Sequence, residues 1–152
     1  MIKKTLATLI IIFLSGSFIQ AQPGETGVGL MIGSPSGFSA KHWLNRKNAI
    51  AAGLGFSLIN DTKINLHIDY LYHLYDQFES DEKIPIYYGF GARILTKHNK
   101  EGVFGIRGIA GLNWFPKTER IDVFFEIAPI FVLLPEAAMD MDASLGVRYY
   151  FK

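Results

Sequence analysis

The sequence alternates between apolar and small or polar residues along most of its length after Gln22. A period of two residues is typical of β-strands, whose side chains point to opposite faces in turn, and no apolar stripe with helical spacing is long enough to compete with it. The alternation occurs in eight runs, at 26–33, 37–44, 49–59, 64–76, 84–97, 102–115, 121–134 and 142–151. Segments rich in Pro, Asn, Asp, Ser or charged residues, which favour turns, separate the runs. The pattern predicts an all-β chain of eight strands.

Composition narrows the classes of protein that such strands can build. A chain of 152 residues is long enough for one domain. The absence of cysteine excludes a disulfide scaffold, a cysteine nucleophile and a thiolate zinc site. The net charge of +1 lacks the basic excess of nucleic-acid-binding proteins, so we expect no nucleic-acid partner. With 49% hydrophobic residues and so little net charge, the chain is a compact fold or a membrane protein.

The first residues have the order of a secretory signal peptide. Lys3 and Lys4 form a positive segment, 6–14 is a nearly unbroken apolar run, and a small residue stands where cleavage is expected. The apolar run is much shorter than the roughly 20 residues of a membrane-spanning helix. We therefore predict a cleaved signal peptide at 1–21 and a barrel domain at 22–152.

The positions of the glycines distinguish between two kinds of barrel. Alternation alone fits a soluble barrel with an apolar interior or a membrane barrel with an apolar exterior. Several glycines share a face with the charged residues of their own runs, namely Gly89, Gly91, Gly105, Gly111 and Gly146. Such a face suits the lining of a narrow bore, because small residues leave room for a few long polar ones. The opposite face, rich in Ile, Leu, Val, Phe and Tyr, suits contact with lipid and would promote aggregation in water.

These faces predict an eight-stranded antiparallel up-and-down transmembrane β-barrel in the bacterial outer membrane. A closed barrel leaves no unpaired backbone edge in lipid, and bacterial barrels have an even number of strands. A tilted membrane strand needs about 9–11 residues, which the runs provide. A lipocalin-like soluble barrel is the structural alternative. Aromatic residues near predicted strand ends could form an interfacial belt, although aromatics favour strands in general; they are Trp43, Tyr88, Trp114, Phe115, Tyr149 and Phe151.

The last run places four apolar residues on one face, at Leu145, Val147, Tyr149 and Phe151. With the signal and the eight runs, this ending resembles small bacterial outer-membrane barrels of the OmpA/OmpX-like kind. In such families the barrel-assembly machinery recognises a last strand that ends on an aromatic residue, whereas here Lys152 follows the aromatic. The stretches 105–107, 125–129 and 148–151 are similar to a family of small barrels without assigned function. The resemblance implies the fold and is almost silent on activity.

Four charged residues are predicted to meet inside the bore. Arg107, Glu126 and Arg148 lie on the glycine-containing faces of neighbouring runs, so Glu126 is expected between the two arginines, with Arg93 able to join them. Charges in a narrow bore are costly unless they are paired, and arginine binds carboxylates in bidentate geometry. We favour a structural ion cluster that fills the bore, because eight strands leave little more room than side chains occupy. A path for anions or protons is the alternative.

A metal site is not expected. His67, Asp69 and His73 share one face, but at about 3.4 Å per residue the two histidines lie roughly 20 Å apart along one strand. His67 with Asp69 falls short of the three protein ligands of a catalytic zinc ion. A polar lining at His67 and Asp69 is therefore predicted, without metal or cofactor.

A lipid-modifying enzyme is the main functional competitor, since some small outer-membrane barrels modify lipid A with a Ser or His and an acid. Ser39, His42, Ser57 and His67 are available, but spacing alone places no catalytic set. No catalytic residue is therefore predicted.

The expected function is that of a non-enzymatic, monomeric outer-membrane barrel with a filled lumen. It would contribute to envelope integrity or contact lipid or a partner. Its outward loops are short, unlike those of OmpX-like adhesins, and a wide water-filled channel needs about 16 strands. A lipid A-modifying enzyme and a narrow ion channel remain the alternatives. The expected partners are outer-membrane lipid and, during biogenesis, the assembly machinery.

Overall fold

The computed structural model is a closed β-barrel, and it describes residues 24–57, 63–75, 84–98, 100–116 and 120–151. The predicted signal segment, 1–21, lies outside the described residues. The strands are β1 (Thr26–Ser34), β2 (Gly37–Trp43), β3 (Asn48–Ser57), β4 (Lys63–Leu74), β5 (Ile86–Lys97), β6 (Val103–Trp114), β7 (Ile121–Leu134) and β8 (Ala138–Phe151). The described part of the chain contains no helix that is long and apolar enough to cross a membrane.

Each strand pairs antiparallel with the next, and β8 pairs with β1 to close the sheet. This confirms the predicted up-and-down barrel. The closing register runs from Thr26 opposite Phe151 to Ser34 opposite Ala143. Thr26 and Phe151 lie at one end of the barrel, which we call the terminal end. Strands β1, β3, β5 and β7 end at the other end of the barrel, which we call the loop end.

Apolar side chains point outward and charged side chains point inward, as the positions of the glycines predict. Leu66, Ile68 and Val147 are 49%, 58% and 47% exposed on the outer surface, whereas Arg107 and Arg148 are 1% and 2% exposed inside. Large apolar side chains cover the outside of all eight strands. A soluble barrel requires the reverse distribution, so the lipocalin-like alternative is wrong.

The inward glycines make room for bulky lumen side chains. A Cβ atom added to Gly53 would collide with the His67 ring, and one added to Gly111 would collide with the Tyr87 ring. An eight-stranded barrel has an interior just wide enough for side chains. A large inward side chain such as His67 or Tyr87 therefore fits only because the neighbouring strand has a glycine beside it.

Two strands begin two residues or more away from the predicted position, whereas the other starts agree within one residue. β5 begins at Ile86 rather than at residue 84, because Pro85 has no N–H to donate to a ladder. β8 begins at Ala138 rather than at residue 142, since 138–141 pairs with 129–132 of β7. The added residues continue the alternation, with Met139 and Met141 exposed. The β7–β8 connection is correspondingly shorter.

Candidate functional site

The lumen contains an unusual density of buried charge. Within the described ranges, ten charged side chains are buried, five cationic and five anionic: Glu25, Lys41, Asp69, Arg93, Arg107, Arg120, Asp122, Glu126, Asp142 and Arg148. The isolated burial of one such charge costs several kcal/mol, so each must be matched by a partner of opposite sign or by polar contacts. The formal charges of these ten side chains sum to zero.

Arg107 is the centre of the largest group of ion pairs. Its Nε lies 3.0 Å from Asp69 Oδ1, its Nη2 lies 3.3 Å from Glu126 Oε1, and its Nη1 lies 3.5 Å from Asp142 Oδ2. Tyr87 donates its hydroxyl to Glu126 Oε2 at 2.8 Å. These four charged residues, Asp69, Arg107, Glu126 and Asp142, form the Arg107 cluster. One guanidinium thus contacts carboxylates from three different strands.

Arg93 continues the ion pairs toward the loop end. Its Nη1 donates to Asp142 at 3.1 Å and its Nη2 donates to Asp140 at 2.8 Å. Ser34 adds a hydrogen bond to Asp142 at 3.2 Å. Asp142 is therefore shared between Arg93 and Arg107, which links β5, β6 and β8 across the bore.

Arg148 pairs with Asp122 and not, as predicted, with Glu126. Its Nε lies 3.0 Å from Asp122 Oδ1, and its guanidinium stacks 3.9 Å from the centre of the Phe124 ring. The β7–β8 register explains the difference, since Asp122 lies directly opposite Arg148 whereas Glu126 lies opposite Ser144. The prediction that Glu126 lies between two arginines is thus wrong for Arg148. Arg107 and Glu126 are in contact, and Arg93 reaches them only through Asp142.

Lys41 is a buried cation that the sequence analysis did not single out. Its ammonium group is 2.7 Å from His73 Nε2 and donates to Asn113 Oδ1 at 2.8 Å. It also lies 4.4 Å from the centre of the Trp43 ring. Its position on the inward face of β2, between Ser39 and Trp43, was the available signal. Polar atoms and an aromatic face, rather than a carboxylate, surround this ammonium.

Aromatic rings close the terminal end of the bore. Trp43 and Phe115 are buried with their ring centres 6.2 Å apart, and Tyr150 follows at 6.4 Å from Phe115. Of the two interpretations of these aromatics, the outer belt does not hold for Trp43 and Phe115, because both are buried inside the barrel. Arg120 and Glu25, 3.7 Å apart, lie at the same end.

His67 and Asp69 lie in the lumen beside the Arg107 cluster. His67 Nε2 is 3.8 Å from Asp69 Oδ2. Together with Glu126 from the facing wall they place three potential ligand atoms within 4.8 Å of one another, a proximity that strand spacing could not indicate. Arg107 already contacts both carboxylates of this group. Its guanidinium supplies the positive charge that the carboxylates require, so the donor set is arranged around an arginine.

Ser39, His42 and His67, the described residues considered for lipid modification, do not form a catalytic set. Ser39 accepts a hydrogen bond from Arg148 inside the bore at 3.4 Å. His42 is exposed on the outside and contacts Thr26 at 2.8 Å. His67 lies deeper, next to Asp69, and the Ser57 side chain lies outside the described part. A Ser nucleophile needs its base within hydrogen-bond reach, and neither histidine is a hydrogen-bond partner of Ser39 in the described chain.

The last strand has the orientation expected of an assembly signal. Leu145 and Val147 are exposed on the outer surface, and Tyr149 and Phe151 are half-buried on the same face. β8 forms the closing seam with β1. Recognition of these four residues by assembly machinery stays a prediction.

The Arg107 cluster is expected to stabilise the barrel through Glu126. Glu126→Gln should lower the free energy of unfolding by about 1–3 kcal/mol, because the amide keeps a hydrogen bond but loses the charge that balances Arg107. Thermal unfolding in detergent measures this, with Glu136→Gln, an exposed residue of the β7–β8 connection, as the matched control. An unchanged melting profile for Glu126→Gln would contradict a stabilising role.

Comparison with known proteins identifies the fold. No protein-family model and no curated protein matches the chain. Among solved structures, it is similar to the N-terminal β-barrel domain of Pseudomonas aeruginosa OprF, with a TM-score of 0.63 and 16% sequence identity. The similarity covers 86% of this chain and 100% of that domain. The chain therefore has the closed β-barrel fold of that domain.

Proposed function

We propose that the protein is a non-enzymatic outer-membrane barrel that acts as a structural element of the envelope, with lipid as its principal contact. The observation that carries this proposal is the set of ten charged side chains buried in the bore, with the Arg107 cluster across its middle. Side chains that contact one another from opposite walls leave little space for a permeating solute. The aromatic group at Trp43, Phe115 and Tyr150 closes the terminal end further.

The outer surface supports the membrane location. Large apolar side chains are exposed on every strand, a distribution that water disfavours and hydrocarbon favours. Export by removal of 1–21 and insertion by the assembly machinery belong to the same proposal. The short β1–β2 and β7–β8 connections offer little surface to a protein partner, which supports a monomer in contact with lipid.

Conductance measurements test the closed bore. We expect the folded protein to produce no discrete conductance steps in planar lipid bilayers, because the Arg107 cluster spans the lumen. A porin with a water-filled channel serves as the positive control for insertion. Discrete steps in the wild-type protein that change in Arg107→Ala, but not in the exposed turn variant Arg46→Ala, would favour a narrow ion channel and contradict the proposal.

Analysis of cells tests the location and the absence of enzymatic activity. We expect the protein in the outer-membrane fraction, with a gel mobility that changes on boiling, and an unchanged lipid A composition when it is overproduced. Recovery from the soluble periplasm would contradict the location. Modified lipid A that reverts when Ser39 or His67 is replaced would favour the enzyme.

A further inference from the structure

The loop end of the barrel contains an open cavity of about 660 Å³ above the Arg107 cluster. Its charged and amide lining consists of Lys63, Asn65, Arg93, Asp140 and Asp142. Pockets for small molecules have volumes of about 300–1,000 Å³ and contain a few converging polar groups. The loop-end cavity has both features, and it lies outside the closed part of the bore.

Charge is distributed unevenly between the walls of this cavity. Lys63 lies directly opposite Lys97 in the β4–β5 register, so both side chains point to the same side of the sheet. Arg93 is on that inward face of β5 as well, while Ile94 between them is exposed outside. Lys63 and Arg93 line the cavity from the β4–β5 wall, and Lys97 lies at the edge of that wall, opposite Lys63. The facing β8 wall carries the two carboxylates, Asp140 and Asp142.

Arg93 contacts both carboxylates, and Asp142 is also in contact with Arg107. The charge of Lys97 also acts on Asp140, but neither Lys97 nor Lys63 has an ion-pair partner within 4.0 Å among the described residues. Like charges placed directly opposite one another on adjacent strands destabilise a sheet. An anion between the two ammonium groups would remove this repulsion, since the three cations and two carboxylates of this region sum to a formal charge of +1.

Asn65 presents an unpaired hydrogen-bond acceptor to the cavity. It is 7% exposed, it lines the cavity, and its Oδ1 atom has no hydrogen-bond partner in the described part of the chain. An unpaired buried acceptor is costly, and a hydroxyl group could satisfy it. Asp140, whose side chain is 50% exposed, offers further acceptor capacity on the opposite wall. The cavity thus combines an anion-binding pair with acceptors for hydroxyl groups.

We propose that the loop-end cavity binds a phosphorylated sugar, with the phosphate between Lys63 and Lys97 and sugar hydroxyls on Asn65 and Asp140. The volume of about 660 Å³ exceeds that of phosphate alone and accommodates the sugar. The same chemistry occurs in a free sugar phosphate and in the headgroup of a phosphorylated glycolipid. Binding at this site does not depend on whether the bore below it conducts.

Calorimetric titration of the full barrel in detergent micelles tests the proposal. Glucose 6-phosphate should bind the wild-type protein, whereas glucose, which lacks the phosphate, should bind far more weakly. The double variant Lys63→Gln/Lys97→Gln should weaken binding by about tenfold or more, since it removes two charge-assisted contacts. Lys47→Gln, at an exposed lysine of the terminal end, is the matched control and should bind as the wild type does.

A second titration distinguishes the two sources of the ligand. Micelles that contain a phosphorylated glycolipid are compared with micelles of its dephosphorylated form. Lysine-dependent binding of the glycolipid, without binding of glucose 6-phosphate, would support the site with a lipid headgroup as its ligand. Failure of both phosphorylated probes, or equal binding by the wild type and the double variant while the gel shift on boiling shows a folded barrel, would overturn the proposal.

Discussion

Arg107→Ala is expected to lower the free energy of unfolding by about 3–5 kcal/mol, the cost of removing one partner from a buried ion pair. The substitution leaves three carboxylates, on Asp69, Glu126 and Asp142, without the guanidinium that all three contact. Arg107→Lys should recover only part of the loss, because an ammonium group cannot match the planar fork of donors.

Urea titration of the folded protein in lipid vesicles, followed by tryptophan fluorescence, measures this loss. Arg46→Ala removes the same side chain from an exposed turn between β2 and β3 and should change stability by less than about 0.5 kcal/mol. A loss for Arg107→Ala no larger than that of Arg46→Ala would show that the Arg107 cluster does not stabilise the barrel.

Ile68→Arg is expected to impair folding into lipid by about 2–4 kcal/mol, the cost of a cation on the lipid face near the bilayer centre. Ile68 lies midway along β4 and is 58% exposed on the outer surface. On a water-soluble barrel the same substitution would add charge to an exposed position and change stability little. The size of the loss thus separates a membrane barrel from a soluble one.

Thr96→Arg is the matched control for Ile68→Arg. Thr96 is exposed near the loop end of β5, where a cation is expected to cost about 0–1 kcal/mol because it reaches the interface. Folding into vesicles is measured by the gel shift on boiling and by the free energy of unfolding. Equal effects at the two positions would contradict a dependence on depth in the membrane.

The periodicity of the sequence was sufficient to predict the strands and their faces. Alternation assigns each residue to one of two sides, so Ile68 and Arg107 could be placed outside and inside before any coordinates were known. Pro85 and the start of β8 show where this fails, because a boundary depends on the backbone donors and on the partner strand. Neither can be read from one strand alone.

The contacts inside the bore were only partly predictable. Glu126 and Arg107 were expected to meet and do so. Arg148 was expected on Glu126 and instead contacts Asp122, because the β7–β8 register sets which inward side chains lie level with each other. Lys41 with His73, and Glu126 near His67, join residues from strands that are not neighbours in the sheet.

The amino-acid sequence by itself determined the number of strands, the closed topology and the division between an apolar exterior and a polar, glycine-lined interior. These properties follow from a local rule, the opposite orientation of successive side chains along a strand. Only the tertiary structure decided which carboxylate each arginine contacts, and that Lys63, opposite Lys97 on the next strand, shares a cavity with Asp140. Those contacts depend on the stagger between strands and on distances across the bore, which closure of the whole sheet sets.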